Sequence, residues 1–353
     1  METENPTNIV VPGNSADRRL SLSFWKPGLL AACAIAVVVP MMGCNGSLTS
    51  GASSSGQSTS SSSATDSDAA RYPVCLGIFT QAGQDPTIGS RVPESQIAQE
   101  VHQVAAVCSD IRTYSCEQGN EFVPKYAAEY GATVTLGIWL GGDKAANTRE
   151  IQAGLALAKQ YPCVQNIIVG SEVLYRGDLS ESDLSASIKA VRSALPAGCR
   201  LTYADTFETW IAHPALAQLV DFITIHDYPC WAGIAVDKAV ATLASDYATV
   251  CSAFPGKNVV IGETGWPTAG ASNDAAVPSP ANSKSYFSGV IAWAKARNAS
   301  VRMFEFFDEP WKNEAHNWGP HFGLYASNGS TKSVCRKSII VGSPGYGTAI
   351  LPL

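Results

Sequence analysis

Residues 258–267 read NVVIGETGWP: an apolar run, Val259-Val260-Ile261, passes through Gly262 into a carboxylate, Glu263, and then an aromatic, Trp266. A buried carboxylate is costly unless it is paired or hydrogen-bonded. A strand that ends this way either leaves Glu263 in an exposed turn or delivers it to a place built to use it. The same pattern occurs upstream, where QNIIVGSE (165–172) carries Ile167-Ile168-Val169, a Gly-Ser turn and then Glu172. Six more apolar runs read as strands: VCLGIFT (74–80), IRTYSC (111–116), TVTLGIWL (133–140), RLTYADT (200–206), DFITIHDYP (221–229) and VRMFEFFDE (301–309). Between them lie segments with apolar residues at three- and four-residue spacing, such as 94–107, 148–161 and 180–195. The last opens on Ser180 and Asp183, a capping-box-like start.

Eight strands alternating with helices over about 265 residues predict a (β/α)8 TIM barrel, an α/β fold of about that size. A doubly wound open sheet is disfavoured because no glycine-rich phosphate loop follows the first strand. Polar residues also cluster late in each run: Arg112 and Tyr114, Trp139, Glu172, Asp205, His226 and Tyr228, Glu263, and Glu305 to Glu309. In a barrel those ends meet at the one face that carries active sites. Glu172 and Glu263 then end the fourth and seventh strands, facing each other across the mouth. Two carboxyl groups about 5 Å apart, one protonated and one ionised, suit retaining glycoside hydrolysis. Each glutamate alone fits an exposed loop, or a rim position neutralised by Arg112 or Arg176. The pair, ringed by aromatics, favours chemistry.

The motifs GSEVLYRGD (170–178), VVIGETGWP (259–267), FEFFDEPWK (304–312) and IRTYSC together resemble glycoside hydrolase family seventeen, the β-1,3-glucanases. The resemblance spans roughly 72 to 335. It implies Glu172 as acid/base and Glu263 as nucleophile, with Glu309 and Lys312 shaping the site around the reactive sugar and Tyr228 near the nucleophile. Arg112, Tyr114 and Ser171 join these as expected substrate contacts, and Trp266 and Trp311, beside the motifs, offer flat faces for a pyranose. One departure is Ser171, where the family usually has asparagine; serine still donates and accepts, but its reach is shorter. Trp210 and Trp318 read as packing, and His226 receives no role. The expected activity is retaining cleavage of β-1,3-glucan without cofactor or metal. The alternatives are glycosyl transfer by the same site and an inactive carbohydrate-binding envelope protein.

The 353 residues carry 24 Lys and Arg against 30 Asp and Glu, a net charge of −6. With no basic block, a nucleic-acid partner has no support. Arg18, Arg19 and Lys26 precede the apolar run 28–43, which is short for a spanning helix of about 20 residues and ends in Met-Met-Gly before Cys44. Residues 1–44 therefore read as an export signal or membrane anchor, with Cys44 a candidate lipidation site; a single-pass anchor is the alternative. Residues 45–71, rich in Ser and Gly, read as a flexible tether. Residues 72–340 form the expected catalytic domain and 341–353 a tail, the whole exported and held at the envelope, or else secreted. Eight cysteines beyond the tether predict disulfides in such a compartment.

Overall fold

The computed structural model of the chain describes residues 72–335. The expected anchor with Cys44, the tether, the end of the domain beyond 335 and the tail lie outside the described residues. Eight parallel strands close into a barrel in sequence order. They are β1 (Val74–Cys75), β2 (Asp110–Arg112), β3 (Thr133–Ile138), β4 (Val164–Ser171), β5 (Arg200–Thr206), β6 (Ile223–His226), β7 (Val259–Thr264) and β8 (Ser300–Met303). Closure is through Val74 of β1 against Met303 of β8. The helices between them are α1 (Glu94–Ala105), α2 (Val123–Glu129), α3 (Lys144–Gln160), α4 (Glu181–Ala194), α5 (Phe207–Ala212), α6 (Val236–Ala253) and α7 (Pro280–Arg297). The (β/α)8 expectation holds.

Local chemistry sets the helix starts. Asp143 accepts from the backbone N–H groups of Ala145 and Ala146 and begins α3 four residues before its periodic stretch. Ser180 accepts from Asp183 N at the start of α4, as its sequence suggests. Ser279 caps α7 ahead of Pro280, and Asn298 ends that helix in the left-handed region.

Alternation along the strands gives the barrel two different linings. Ile111, Leu136, Ile167, Leu201, Ile225 and Ile261 are buried in one apolar cluster with helix residues such as Val101, Ile188 and Leu243. Each such side chain removed from water is worth about 1.5–3 kcal/mol. Toward the strand starts the interior is polar. Arg302 Nε and Nη2 donate to Asp110 Oδ2 at 2.9 and 2.6 Å, and Arg302 Nη2 also reaches Thr135 Oγ1 at 2.8 Å. Asn166 donates to the same hydroxyl at 3.1 Å and accepts from Arg200 at 3.2 Å. The network links β2, β3, β4, β5 and β8.

Several runs read as strands extend past their ladders, because the late residues leave the sheet to build the mouth. After β8 the chain still touches β1, where Phe306 N donates to Cys75 O at 2.9 Å. Trp210 and Trp318 are packing residues, as expected, their indoles bonded to Thr224 O and Ala271 O at 2.8 and 2.7 Å.

The disulfide expectation needs correction. Cys75, Cys116, Cys163, Cys199, Cys230 and Cys251 are free thiols. Cys75 lies on β1 and Cys251 on α6, the other four in connecting segments, and buried thiols donate to nearby carbonyls: Cys75 to Gly262 O at 3.3 Å and Cys116 to Gly137 O at 3.2 Å. Burial pushes the Cys75 thiol up to about 12, so it is a small core residue and not a nucleophile. Among the described residues, no helix is long and apolar enough to cross a membrane.

Candidate active site

The mouth carries a cleft of about 420 Å3 whose walls include Glu172, Glu263, Tyr114, Tyr228, Trp311 and Lys312. The ladders lose register at this level: between Ile168 and Ser171 in β4–β5, between Ile225 and His226 in β6–β7, and between Ile261 and Thr264 in β7–β8. Such irregularities re-aim the side chains that follow. Here those side chains are Glu172, His226 and Glu263.

Glu172 has φ +55°, left-handed for a residue with a side chain, and Gly170 before it has φ +82°. Glycine takes that region freely, whereas the glutamate costs on the order of 1–3 kcal/mol, a strain typical of functional positions. Its carboxylate meets His226 Nδ1 at 2.6 Å. The other face of the imidazole is held by Arg112, whose Nη1 lies 2.9 Å from His226 Nε2. A guanidinium only donates, so Nε2 accepts and the proton of a neutral imidazole sits on Nδ1, donated to Glu172.

Glu263 is gripped on both oxygens. Oε1 lies 3.0 Å from Arg112 Nη2 and 3.2 Å from His226 Nε2. Oε2 accepts from the Tyr228 hydroxyl at 2.8 Å. Burial opposes its ionisation, but His226 when its ring is protonated, the Arg112 charge and the Tyr228 hydrogen bond outweigh it and hold the carboxyl below its ordinary value. Arg112 also donates to Gly262 O at 2.9 Å and to Ser171 Oγ at 3.2 Å. A Cβ at Gly262 would stand 2.3 Å from Thr224 Cγ2 and 2.9 Å from Arg112 Nη1, so only glycine leaves the guanidinium its place.

Donor atoms of Glu172, His226 and Glu263 lie within 4.8 Å of one another. Two carboxylates and an imidazole can ligate a metal, but the fixed charge of Arg112 already touches two of the three. The set fits proton transfer and nucleophilic attack better than a cation.

A second charged group flanks the pair. Lys312 Nζ lies 2.7 Å from Glu305 Oε2 and 2.8 Å from Glu309 Oε2, and Glu309 Oε1 accepts from Phe79 N at 3.0 Å and Trp311 Nε1 at 3.1 Å. Burial, only partly offset by Lys312, pushes Glu305 well above the usual carboxylate range. For Glu309 burial is outweighed, chiefly by Lys312, and its carboxyl stays below that range. One ammonium thus serves two buried carboxyl groups whose pKa values are pushed in opposite directions. Gly77 makes room for this, since a Cβ there would lie 2.0 Å from Glu309 Oε2.

Residues 78–323 match the BtgE/BtgC glycoside hydrolase domain. The chain belongs to that family. The chain is 28% identical over 259 residues to the glucan 1,3-beta-glucosidase of Saccharomyces cerevisiae, covering 66% of this chain and 82% of that one. It is 31% identical over 244 residues to the glucan 1,3-beta-glucosidase of Schizosaccharomyces pombe, covering 63% and 74%. Among solved structures, the glycoside hydrolase family 17 beta-1,3-glucanosyltransferase of Rhizomucor miehei superposes with TM-score 0.67 at 28% identity, covering 75% of this chain and 96% of that one. An active-site mutant of that transferase, in complex with laminaritriose, superposes equally well. The expected likeness to family seventeen is borne out.

In this BtgE/BtgC domain the expected site residues Glu172, Glu263, Arg112, Tyr114, Ser171, Tyr228, Glu309, Trp311 and Lys312 converge at the mouth. Arg112 sits over the Tyr114 ring at 5.0 Å. Trp266 does not converge. It is fully buried, packs on Tyr286 of α7 at 5.5 Å and donates to Val277 O at 3.1 Å. β7 ends at Thr264, and Trp266 beyond it is not among the residues that line the cleft. Sequence reading gave His226 no role, yet it touches both glutamates; its position at a strand end opposite them was the available signal. Glu305, Glu314 and Trp231 also belong to the site. Glu305 was visible in FEFFDEPWK, but Glu314 and Trp231 lie in loops with no periodic signal.

Proposed function

We propose that this glycoside hydrolase cleaves β-1,3-glucan with retention, through a glycosyl-enzyme on Glu263. The observation that carries the reading is the closeness of the pair. Oxygens of Glu172 and Glu263 fall within 4.8 Å of each other. Retaining enzymes hold their carboxyl groups about 5–5.5 Å apart, whereas inverting ones leave about 6.5–9.5 Å for a water. Glu263, held below its ordinary pKa, is the ionised partner and attacks the anomeric carbon as Glu172 protonates the departing glycosidic oxygen. Glu172 then takes a proton from the incoming water, whose oxygen displaces Glu263 and completes the second inversion. Tyr228 and Arg112 steer the nucleophile's two oxygens. Ser171, Glu309 and Lys312 bind the hydroxyls of the reacting sugar, and Trp311 and Trp231 supply apolar faces. No cofactor enters this sequence of steps.

The names of the two yeast relatives and the laminaritriose complex support a β-1,3-glucan substrate. We also place the domain, residues 72–340, outside the cytoplasm behind an export segment or Cys44 anchor. Proton NMR of fresh laminarin digests tests the mechanism: the β-anomer appears first, and an initial α-anomer overturns it. Glycosyl transfer is the second reading, favoured by the likeness to the Rhizomucor miehei transferase; it shares every step up to the glycosyl-enzyme. Following chain lengths from a labelled β-1,3-oligosaccharide at micromolar concentration decides between them, with shorter products expected.

A further inference from the structure

Glu172 sits in a backbone conformation that a glutamate does not adopt by preference, and something must hold it there. The carbonyl of Ser171 belongs to the peptide plane immediately before Glu172, so its direction is tied to the φ of +55° at that residue. Arg176 grips this carbonyl. Its Nη1 donates to Ser171 O at 2.5 Å, its Nη2 to Leu140 O at 3.3 Å, and its Nε to Asp178 Oδ2 at 2.7 Å. The guanidinium lies over the Trp139 ring at 4.5 Å, and its own backbone N–H donates to Glu172 O at 2.9 Å. The side chain is only 8% exposed. Both peptide planes flanking Glu172 are thus fastened to one residue, itself wedged against the end of β3.

We infer that Arg176 is a positioning residue for the acid/base, locking the Ser171–Glu172 peptide so that the Glu172 carboxyl points at the glycosidic oxygen. The inference rests on the proposed role of Glu172. A planar fork is needed, because the two carbonyls and the Asp178 carboxylate lie in different directions and a lysine ammonium reaches them poorly. The loop has an independent tether, since Leu174 N donates to the Tyr203 hydroxyl at 3.2 Å.

The test uses substrates that differ in how much they need a proton. Arg176→Met, Arg176→Lys and Glu172→Gln are compared on laminarin and on the 2,4-dinitrophenyl β-glycoside of a β-1,3-linked disaccharide, whose leaving group departs unprotonated. A misplaced acid is expected to cost Arg176→Met on the order of 10- to 100-fold in kcat/KM on laminarin. Under threefold is expected on the aryl substrate, with Arg176→Lys between wild type and Arg176→Met. An equal loss on both substrates, as from weaker sugar binding or a looser fold, overturns the inference, as does no loss at all. If Arg176→Met does not fold, Arg176→Lys carries the same comparison alone. A leaving-group split in Glu172→Gln without one in the Arg176 variants leaves the acid/base assignment standing and removes Arg176. No split in any variant removes both.

Discussion

Tyr228 shows how one hydroxyl sets the working range of the site. Its hydrogen bond to Glu263 Oε2, 2.8 Å long, exists only to the benefit of the carboxylate, so it lowers the pKa of the nucleophile. A hydrogen bond to a charged group is worth about 1.5–3 kcal/mol. Tyr228→Phe removes it, raises the pKa of Glu263 and moves the acidic limb of kcat/KM to higher pH by roughly one unit. A pH–rate profile reads this directly; an unmoved or lowered limb contradicts it. The nucleophile itself is tested by Glu263→Ala, which is expected to abolish glucan turnover, with azide restoring reaction as the α-glycosyl azide. Near-normal activity in that variant ends the assignment.

At the level of elements, the strand starts and strand ends of the barrel do different work. The starts are tied by the Arg302–Asp110 pair and its neighbours Thr135 and Asn166, and the pair is buried. Replacing such a pair by apolar residues can be neutral, but removing one partner strands a charge at about 3–5 kcal/mol. Arg302→Met is therefore expected to lower unfolding free energy by about 3 kcal/mol in a urea titration while leaving KM for laminarin unchanged. A variant as stable as wild type contradicts it. The ends were legible in the sequence because seven of the eight runs carry polar or aromatic residues late, which pointed to the barrel mouth and to Glu172 and Glu263. What was not legible follows from the register slips at the mouth. A one-residue shift turns a side chain to the opposite face, so Trp266 could be read as a platform when it packs on α7, and His226 could be passed over when it bridges the pair. Cysteine count was a poor guide because parity carries no geometry, and Cys75, Cys116, Cys163, Cys199, Cys230 and Cys251 are free thiols.

At the scale of the whole fold, the described residues hold more buried carboxyl groups than buried basic ones, and this sets the stability against pH. Burial pushes Glu100 up to about 7, against the hydrogen bonds it accepts from Thr80 and Gln96. Asp205 rises to about 6, through burial first and the charge of Glu172 second. Glu314 rises to about 7 through burial, with Lys312 opposing. In the unfolded chain these groups titrate near their ordinary values, so between about pH 4 and 7 the folded state binds more protons than the unfolded one. Their stabilising contribution is complete below the unfolded pKa and is lost as pH rises through the folded pKa. Glu263 and Glu309, held low, act in the other direction, losing their contribution as pH falls through their folded values. His321, lowered by burial, opposes the main trend, because a histidine depressed on folding favours the folded state as pH rises. Glu100, Asp205 and Glu314 outnumber that single half-buried ring. The melting temperature is thus expected to peak near pH 4, where the raised and lowered carboxyl groups balance, and to fall by roughly 5 °C or more by pH 7.5, at about 2–4 °C per kcal/mol for a domain of this size. Glu100→Gln, whose side-chain oxygen still accepts from Thr80 and Gln96 but which cannot ionise, flattens part of that decline. Melting curves of both proteins at four pH values test the argument, and a melting temperature that rises from pH 5 to 7.5 defeats it.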